Sequence, residues 1–211
     1  MKNEINGKEI PKKYFDIWAN VLKGCLLSGV WGPPSFAKKE YTSADLSFLD
    51  KVSFVYIKPH AFQCFENLSR IRLPHTTSFF GYMAFAKTKL VSKTGNYKAF
   101  EIEEDGRLFC SPAGKRKHYY KVGRKSIVRG DIELCKNGIH YCTNLFDNFN
   151  YYAGEYGKDF VIAECEVSKE NIGGEDCEDV GVTDSKRCAR WIIPTRVLSR
   201  EEVISILNGE E

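Results

Sequence analysis

The residues of this chain with the most obvious reactive chemistry are its thiols and imidazoles. Cys135 and Cys142 flank His140, and His118 lies upstream, so a sulfur and nitrogen metal site is the first chemistry to test. Structural zinc sites bring their ligands in C-x(2–4)-C pairs, and this sequence contains none, so neither metal nor cofactor is expected. A nucleophilic cysteine needs a thiolate beside a base, and none of the eight cysteines (25, 64, 110, 135, 142, 165, 177 and 188) carries a flanking signature that singles it out. They are scattered through apolar segments and read as buried free thiols of a reducing compartment. His140, within Ile139-His140-Tyr141-Cys142, reads as a half-buried, hydrogen-bonded strand residue. The glycine pair in Asn171-Ile172-Gly173-Gly174-Glu175-Asp176 runs into carboxylates that would repel a phosphate, which excludes a phosphate loop there.

Charge narrows the field further. Lys and Arg number 31 against 28 Asp and Glu, a net charge of +3 on 211 residues, too balanced for nucleic-acid binding by bulk charge. Any basic surface must be local. The first residues, Met1-Lys2-Asn3-Glu4-Ile5-Asn6-Gly7, lack the apolar centre of a signal peptide, and no run approaches the roughly 20 apolar residues of a membrane helix. The expectation is a cytosolic protein, without a membrane partner.

The elements that must position these groups fall into three parts. Apolar residues at helical spacing from Tyr14 to Leu26, closed by Gly29, predict one amphipathic helix over about 12–28 within an N-terminal cap of residues 1–44. Ala61-Phe62 then recurs as Ala84-Phe85, 23 residues later, with Leu68-x-x-Ile71-x-Leu73-Pro74 between them. Such a period predicts a short solenoid over 45–93, its interior filled by Phe62, Leu68, Ile71, Leu73 and Phe85. On its strands the intervening side chains face outward. Arg70 and Arg72 therefore lie side by side, with Lys51 and Ser53 on the preceding strand, as a basic stripe suited to a partner. Lys115-Arg116-Lys117-His118 forms a second basic cluster.

The polar cluster Ser92-Lys93-Thr94-Gly95-Asn96 marks a boundary, and residues 94–211 read as an α+β domain. Strands are expected at Tyr97–Ile102, Arg107–Ser111, Tyr119–Val122, Ile132–Leu134, Phe160–Val167 and Trp191–Leu198. A short helix is expected from Leu145 to Tyr152, and a final helix opens on the capping box Ser199-Arg200-Glu201-Glu202.

The 45–91 segment resembles the BspA-like leucine-rich repeats, whose unit is an apolar strand ending in Pro, a turn and an Ala-Phe pair. The ordered set Tyr97-Lys98-Ala99-Phe100, Tyr120-Lys121-Val122-Gly123, Cys135 to Cys142, Asn148 to Tyr152 and Ala163-Glu164-Cys165-Glu166-Val167 resembles an uncharacterised domain of bacteriophages and bacteria over 97–198. The layout also resembles ADP-ribosyltransferase-like folds. That resemblance implies Lys98 or His140, Tyr151 and Glu164 around an NAD molecule. The leading expectation is a phage-type accessory protein that binds a host protein or complex by occupancy, for example as an inhibitor of a defence or nuclease complex. The NAD-using enzyme is the rival, and nucleic-acid binding through the stripe is a third, less favoured reading.

Overall fold

The computed structural model describes residues 4–5, 8–9, 42–47, 50, 54–111, 116–173 and 184–210. The helix expected over 12–28, Lys51 and Ser53 lie outside these residues. The strands in chain order are β1 Glu4–Ile5, β2 Lys8–Glu9, β3 Ser43–Asp45, β4 Val55–Ile57, β5 Arg70–Arg72, β6 Thr77–Phe80, β7 Tyr97–Ile102, β8 Leu108–Cys110, β9 His118–Tyr120, β10 Ser126–Ile127 and β11 Ile139–Cys142. They continue as β12 Gly154–Glu155, β13 Phe160–Val167, β14 Asn171–Gly173, β15 Lys186–Ala189 and β16 Trp191–Val197. A 3-10 helix spans Leu145–Asn150 and the helix α1 spans Arg200–Asn208. The described chain is a β-rich α+β structure.

Between residues 43 and 90 the 23-residue recurrence is visible in the backbone. β3 pairs in parallel with β5, and β4 with β6, where Ile57 stands opposite Phe80. Left-handed conformations recur at the same offset, His60 with Met83 and Cys64 with Lys87. The His60, Phe62 and Cys64 N–H groups donate to Tyr82, Ala84 and Ala86 carbonyls at 2.7–3.0 Å. One turn of chain is thus laid on the next, and the rings of Phe62 and Phe85 stack at 5.7 Å between them. Phe62, Leu68, Ile71, Leu73 and Phe85 are all buried, as their spacing predicts.

The stack does not end at residue 93. The Met83 N–H, the counterpart of His60 one layer down, donates to Phe149 O of the 3-10 helix at 2.8 Å. Phe149 stacks on Phe80 at 4.3 Å, Phe146 meets the edge of Phe85 at 5.3 Å, and β12 pairs antiparallel with β6. Asn208 of α1 closes the other strand row, its side-chain amide bonding both N–H and C=O of Leu73 at 2.6 and 3.0 Å. Leu73, the residue before Pro74, is therefore capped by the amide of Asn208. One apolar core runs from Ala44 to Leu207 across the expected boundary.

The C-terminal residues build a nine-stranded sheet in the order β10-β16-β13-β7-β11-β15-β14, with β8 and β9 continuing from β7. Its long strands were legible from their alternation, and β13 occupies the expected Phe160–Val167. The strand expected at Ile132–Leu134 is instead a tight turn, in which Glu133 and Asn137 face each other and Cys135 is left-handed (φ 66°). Asn137 Nδ2 holds that turn by donating to Arg129 O and Asp131 O. Side-chain amide bonds of this kind outcompete a ladder for a short segment. α1 has both halves of its capping box, Ser199 with Glu202, and ends on left-handed Gly209.

Candidate functional site

β7 is where the sheet forks. One edge is fully paired with β13 from Tyr97 to Glu101. The other is taken by β11 only at Tyr97 and by β8 only at Glu101 and Ile102. Between these two partners, over Lys98 to Phe100, no described strand covers that edge. The gap opens into a cleft of ≈ 770 Å³ lined by Lys98 and Glu101 from β7, Cys110 and Ser111 from β8, Tyr120 from β9, His140 and its neighbours from β11, Tyr151 and Tyr152 after the 3-10 helix, Asp159, and Lys186 from β15.

Lys98 is the unusual member. It is only 6% exposed, yet its side chain makes a single hydrogen bond among the described residues, from Nζ to His140 O at 2.9 Å. Its ammonium also lies 5.3 Å from the ring centre of Phe100 and 5.5 Å from that of Tyr120. Lysine is almost never this buried without an anionic partner, and no carboxylate pairs with it among the described residues. Burial works against its charge, and the Cys110 thiol and the Tyr152 and Tyr120 phenols facing it raise its pKa above that of a free lysine as they ionise. The Tyr152 and Tyr120 phenols are themselves neutral at pH 7. Burial pushes the Tyr120 phenol up to about 12 despite Lys98, pushes the Cys165 thiol to about 12, and raises Tyr152 as well. Cys110 Sγ and Tyr152 Oη share a hydrogen bond at 3.3 Å. Two of the three Lys98 ammonium protons have no hydrogen-bond acceptor among the described residues.

His140 forms the next wall. Its Nε2 accepts from the Cys135 N–H at 2.9 Å, so the neutral ring carries its proton on Nδ1. Burial and the two cations Lys186 and Lys98 push its pKa down from 6.5 to about 4. Gly138 lets β11 reach β15 here, since a side chain on it would stand 3.1 Å from Cys188 Sγ and its φ of 143° suits glycine alone. Lys186 lies at the mouth, 3.5 Å from Cys135 Sγ and 4.3 Å from the Tyr151 ring centre. Tyr151, 40% exposed, donates from Oη to Asp184 Oδ2 at 2.7 Å, and burial together with that bond raises its pKa. A neutral imidazole, neutral phenols and a buried lysine thus line one cleft. None of them is poised at neutral pH as a nucleophile or as a matched acid and base.

Three residues of the NAD set implied by the sequence, Lys98, His140 and Tyr151, thus meet in one cleft. Glu164 does not join them. Its neighbour Ala163 stands opposite Lys98, so Glu164 projects from the other face of β13, where it pairs with Arg196 at 3.2 Å. Arg70 and Arg72 are exposed on either side of buried Ile71, as expected. Arg72 lies 3.8 Å from Glu210, and Arg70 makes no ion pair among the described residues. Cys110, Cys142, Cys165 and Cys188 are buried free thiols. The expectation of burial fails for Cys135, exposed at its turn, and in part for Cys64. Cys135 and His140 do meet, but through a backbone N–H, and no described group of three or more His, Cys, Asp or Glu could hold a metal.

Sequence reasoning missed Cys110, Tyr120, Tyr152 and Lys186. Lys98 carried a signal, a lysine inside the apolar strand Tyr97-Lys98-Ala99-Phe100. The others are brought in by pairings across up to 88 residues of chain, which no local pattern records.

One family model matches residues 96–205, just over half of the chain, and its description is a domain of unknown function (DUF7666). The chain belongs to the DUF7666 family. The matched stretch contains the fork and every lining residue of the cleft, and it coincides with the ordered motifs read over 97–198. The leucine-rich-repeat resemblance of residues 45–91 has no family support beside it. No curated protein and no solved structure matches the chain. No described helix is long and apolar enough to cross a membrane.

Proposed function

We propose that the DUF7666 unit of this protein is a binding module for a ligand bearing a carboxylate or phosphate group, received at Lys98. The observation that carries this reading is a nine-tenths buried ammonium that faces a cleft and lacks an anionic partner. A ligand anion would take the spare N–H donors and replace the water that such a charge otherwise needs, which makes a charge-assisted hydrogen bond in a partly desolvated site. The NAD reading needs a carboxylate from β13 in the same cleft, and Glu164 stands on the opposite face. Thermal melts at constant ionic strength test the proposal. Inorganic phosphate or acetate should raise Tm in the unaltered protein and leave Lys98→Met unmoved, since a ligand that binds only the folded state stabilises it by mass action. Equal shifts in the two proteins would dispose of the idea. Amide chemical-shift mapping on the unaltered protein gives the same answer without a variant: the largest changes should fall on residues 98–101 and 138–142, and changes confined elsewhere count against it.

A second reading rests on Arg70, which is exposed, unpaired among the described residues and next to Arg72 on a rigid strand. Here the stacked turns of 45–91 serve as a docking face for an acidic protein surface, consistent with a phage-type protein that occupies a host complex. Arginine's planar fork favours such carboxylate contacts.

A further inference from the structure

The cleft holds a second cation that the proposed anion site does not use. Lys186 Nζ reaches Cys135 Sγ and lies over the Tyr151 ring, and it has no carboxylate partner among the described residues. The nearest acid in sequence, Asp184, is occupied by the Lys186 and Tyr151 donors, N–H and Oη, and by Asn150 Nδ2. The two carboxylates of the lining are likewise turned to backbone: Glu101 Oε2 accepts from Ser111 N at 3.1 Å and Asp159 Oδ2 from Glu155 N at 2.7 Å.

His140 lies between the two lysines. Lys98 binds its carbonyl, and Lys186 sits at the residue whose N–H binds its ring. Both lysines line the one cleft; Cys142 pairs with Tyr97 on one side and Lys186 on the other, so Lys98, on the opposite parity, reaches the cleft through the open edge of β7. The floor between the cations is a neutral imidazole with a free donor, which repels neither an anion nor a short spacer.

Resting on the anion-site reading above, we infer that the ligand carries two anionic groups on a short spacer, one held at buried Lys98 and the other at Lys186, with His140 beneath the spacer. Both ends share one chemistry, whether carboxylate or phosphate. A single anion at Lys98 would leave the second cation uncompensated.

Chemical-shift titrations at constant ionic strength with acetate, glutarate, inorganic phosphate and pyrophosphate test this. The two-headed member of at least one pair should bind roughly tenfold more tightly than its one-headed partner, and Lys186→Met should abolish that preference while leaving the one-headed affinity unchanged. No preference, or a preference that survives Lys186→Met, overturns the inference while leaving the Lys98 site standing. One-headed binding that persists in Lys98→Met sinks the underlying reading instead. Whichever pair shows the preference fixes carboxylate or phosphate. Lys186 is half-buried on β15, and methionine keeps the length of its side chain, so an unchanged Tm of Lys186→Met alongside its one-headed affinity shows that the fold is intact.

Discussion

The stacked turns of residues 54–90 and the forked sheet that follows share one core but solve opposite problems. In the stack, each layer repeats the contacts of the last: Ile57 over Phe80, Phe62 over Phe85, His60 and Met83 with the same backbone twist. Its buried centre is dominated by aromatic and aliphatic carbon. In the sheet, the interruption between β11 and β8 admits an ammonium, two thiols and two phenols to a place where carbon would pack more simply. Repetition makes a scaffold, and the break in the ladder makes a site. Buried polar groups of this kind do not strengthen a fold unless every member is satisfied.

The sharpest way to break this division is to remove the scaffold's centre. Phe62 is fully buried, stacked on Phe85 and edge-on to Phe65 at 5.9 Å. Phe62→Ala should cost on the order of 3–5 kcal/mol of unfolding free energy, the range for a phenyl removed from a packed core. Because Phe85 touches Phe146 and Met83 is bonded to Phe149, the loss should be felt in the sheet as well. Hydrogen exchange of the β13 amides reads this directly. If those amides keep their protection while the stack opens, scaffold and sheet are separate units.

The two regions also differ in how much of them a reader of the sequence can see. The stack announces itself because its contacts lie one period apart, so Ala61-Phe62 and Ala84-Phe85 carry the register in plain view. What that pattern cannot show is where the stack ends, because its next layer, Leu145–Asn150, is a 3-10 helix supplied from more than 50 residues downstream. In the sheet, the long alternating strands and the Ser199 capping box are local signals and were legible. The cleft was half legible. Lys98, His140 and Tyr151 stood out by residue type, but only the pairing of Ala163 with Lys98 shows that Glu164 faces away, and parity across a ladder is not written in either strand alone. Lys186 gave no signal, being one lysine among many on a polar stretch.

A pH experiment sharpens the contrast at the site. His140 has its pKa lowered from 6.5 to about 4, so the unfolded chain binds a proton that the folded one refuses between those values. The stability that His140 contributes is therefore complete above pH 6.5 and is lost as pH falls toward 4, by up to about 3 kcal/mol. Denaturant titrations at pH 7 and pH 4 should show this loss in the unaltered protein and a smaller one in His140→Gln. Equal losses would place the acid sensitivity elsewhere. Phe62→Ala leaves His140 in place, so it should shift both curves alike.

The smallest expected effect on stability comes from the outer face of the stack. Arg70 has no ion pair to lose among the described residues, and Arg72 loses a long contact with Glu210 in which the two side chains are 54% and 31% exposed. Such pairs are worth about 0–1 kcal/mol, so Arg70→Glu with Arg72→Glu should leave the unfolding free energy within about 1 kcal/mol. What the double substitution should change is recognition by an acidic partner, because it reverses the charge of both side chains without touching Ile71 between them. Capture from a host lysate with intact-mass measurement, run beside Lys98→Met and beside Glu164→Gln with Tyr151→Phe, separates the regions. A partner lost only with the arginines assigns macromolecular binding to the scaffold and leaves the cleft to small ligands. A partner lost only with Lys98 would move both roles to the fork, and a mass increment on the partner that disappears with Glu164→Gln and Tyr151→Phe would restore the enzyme reading.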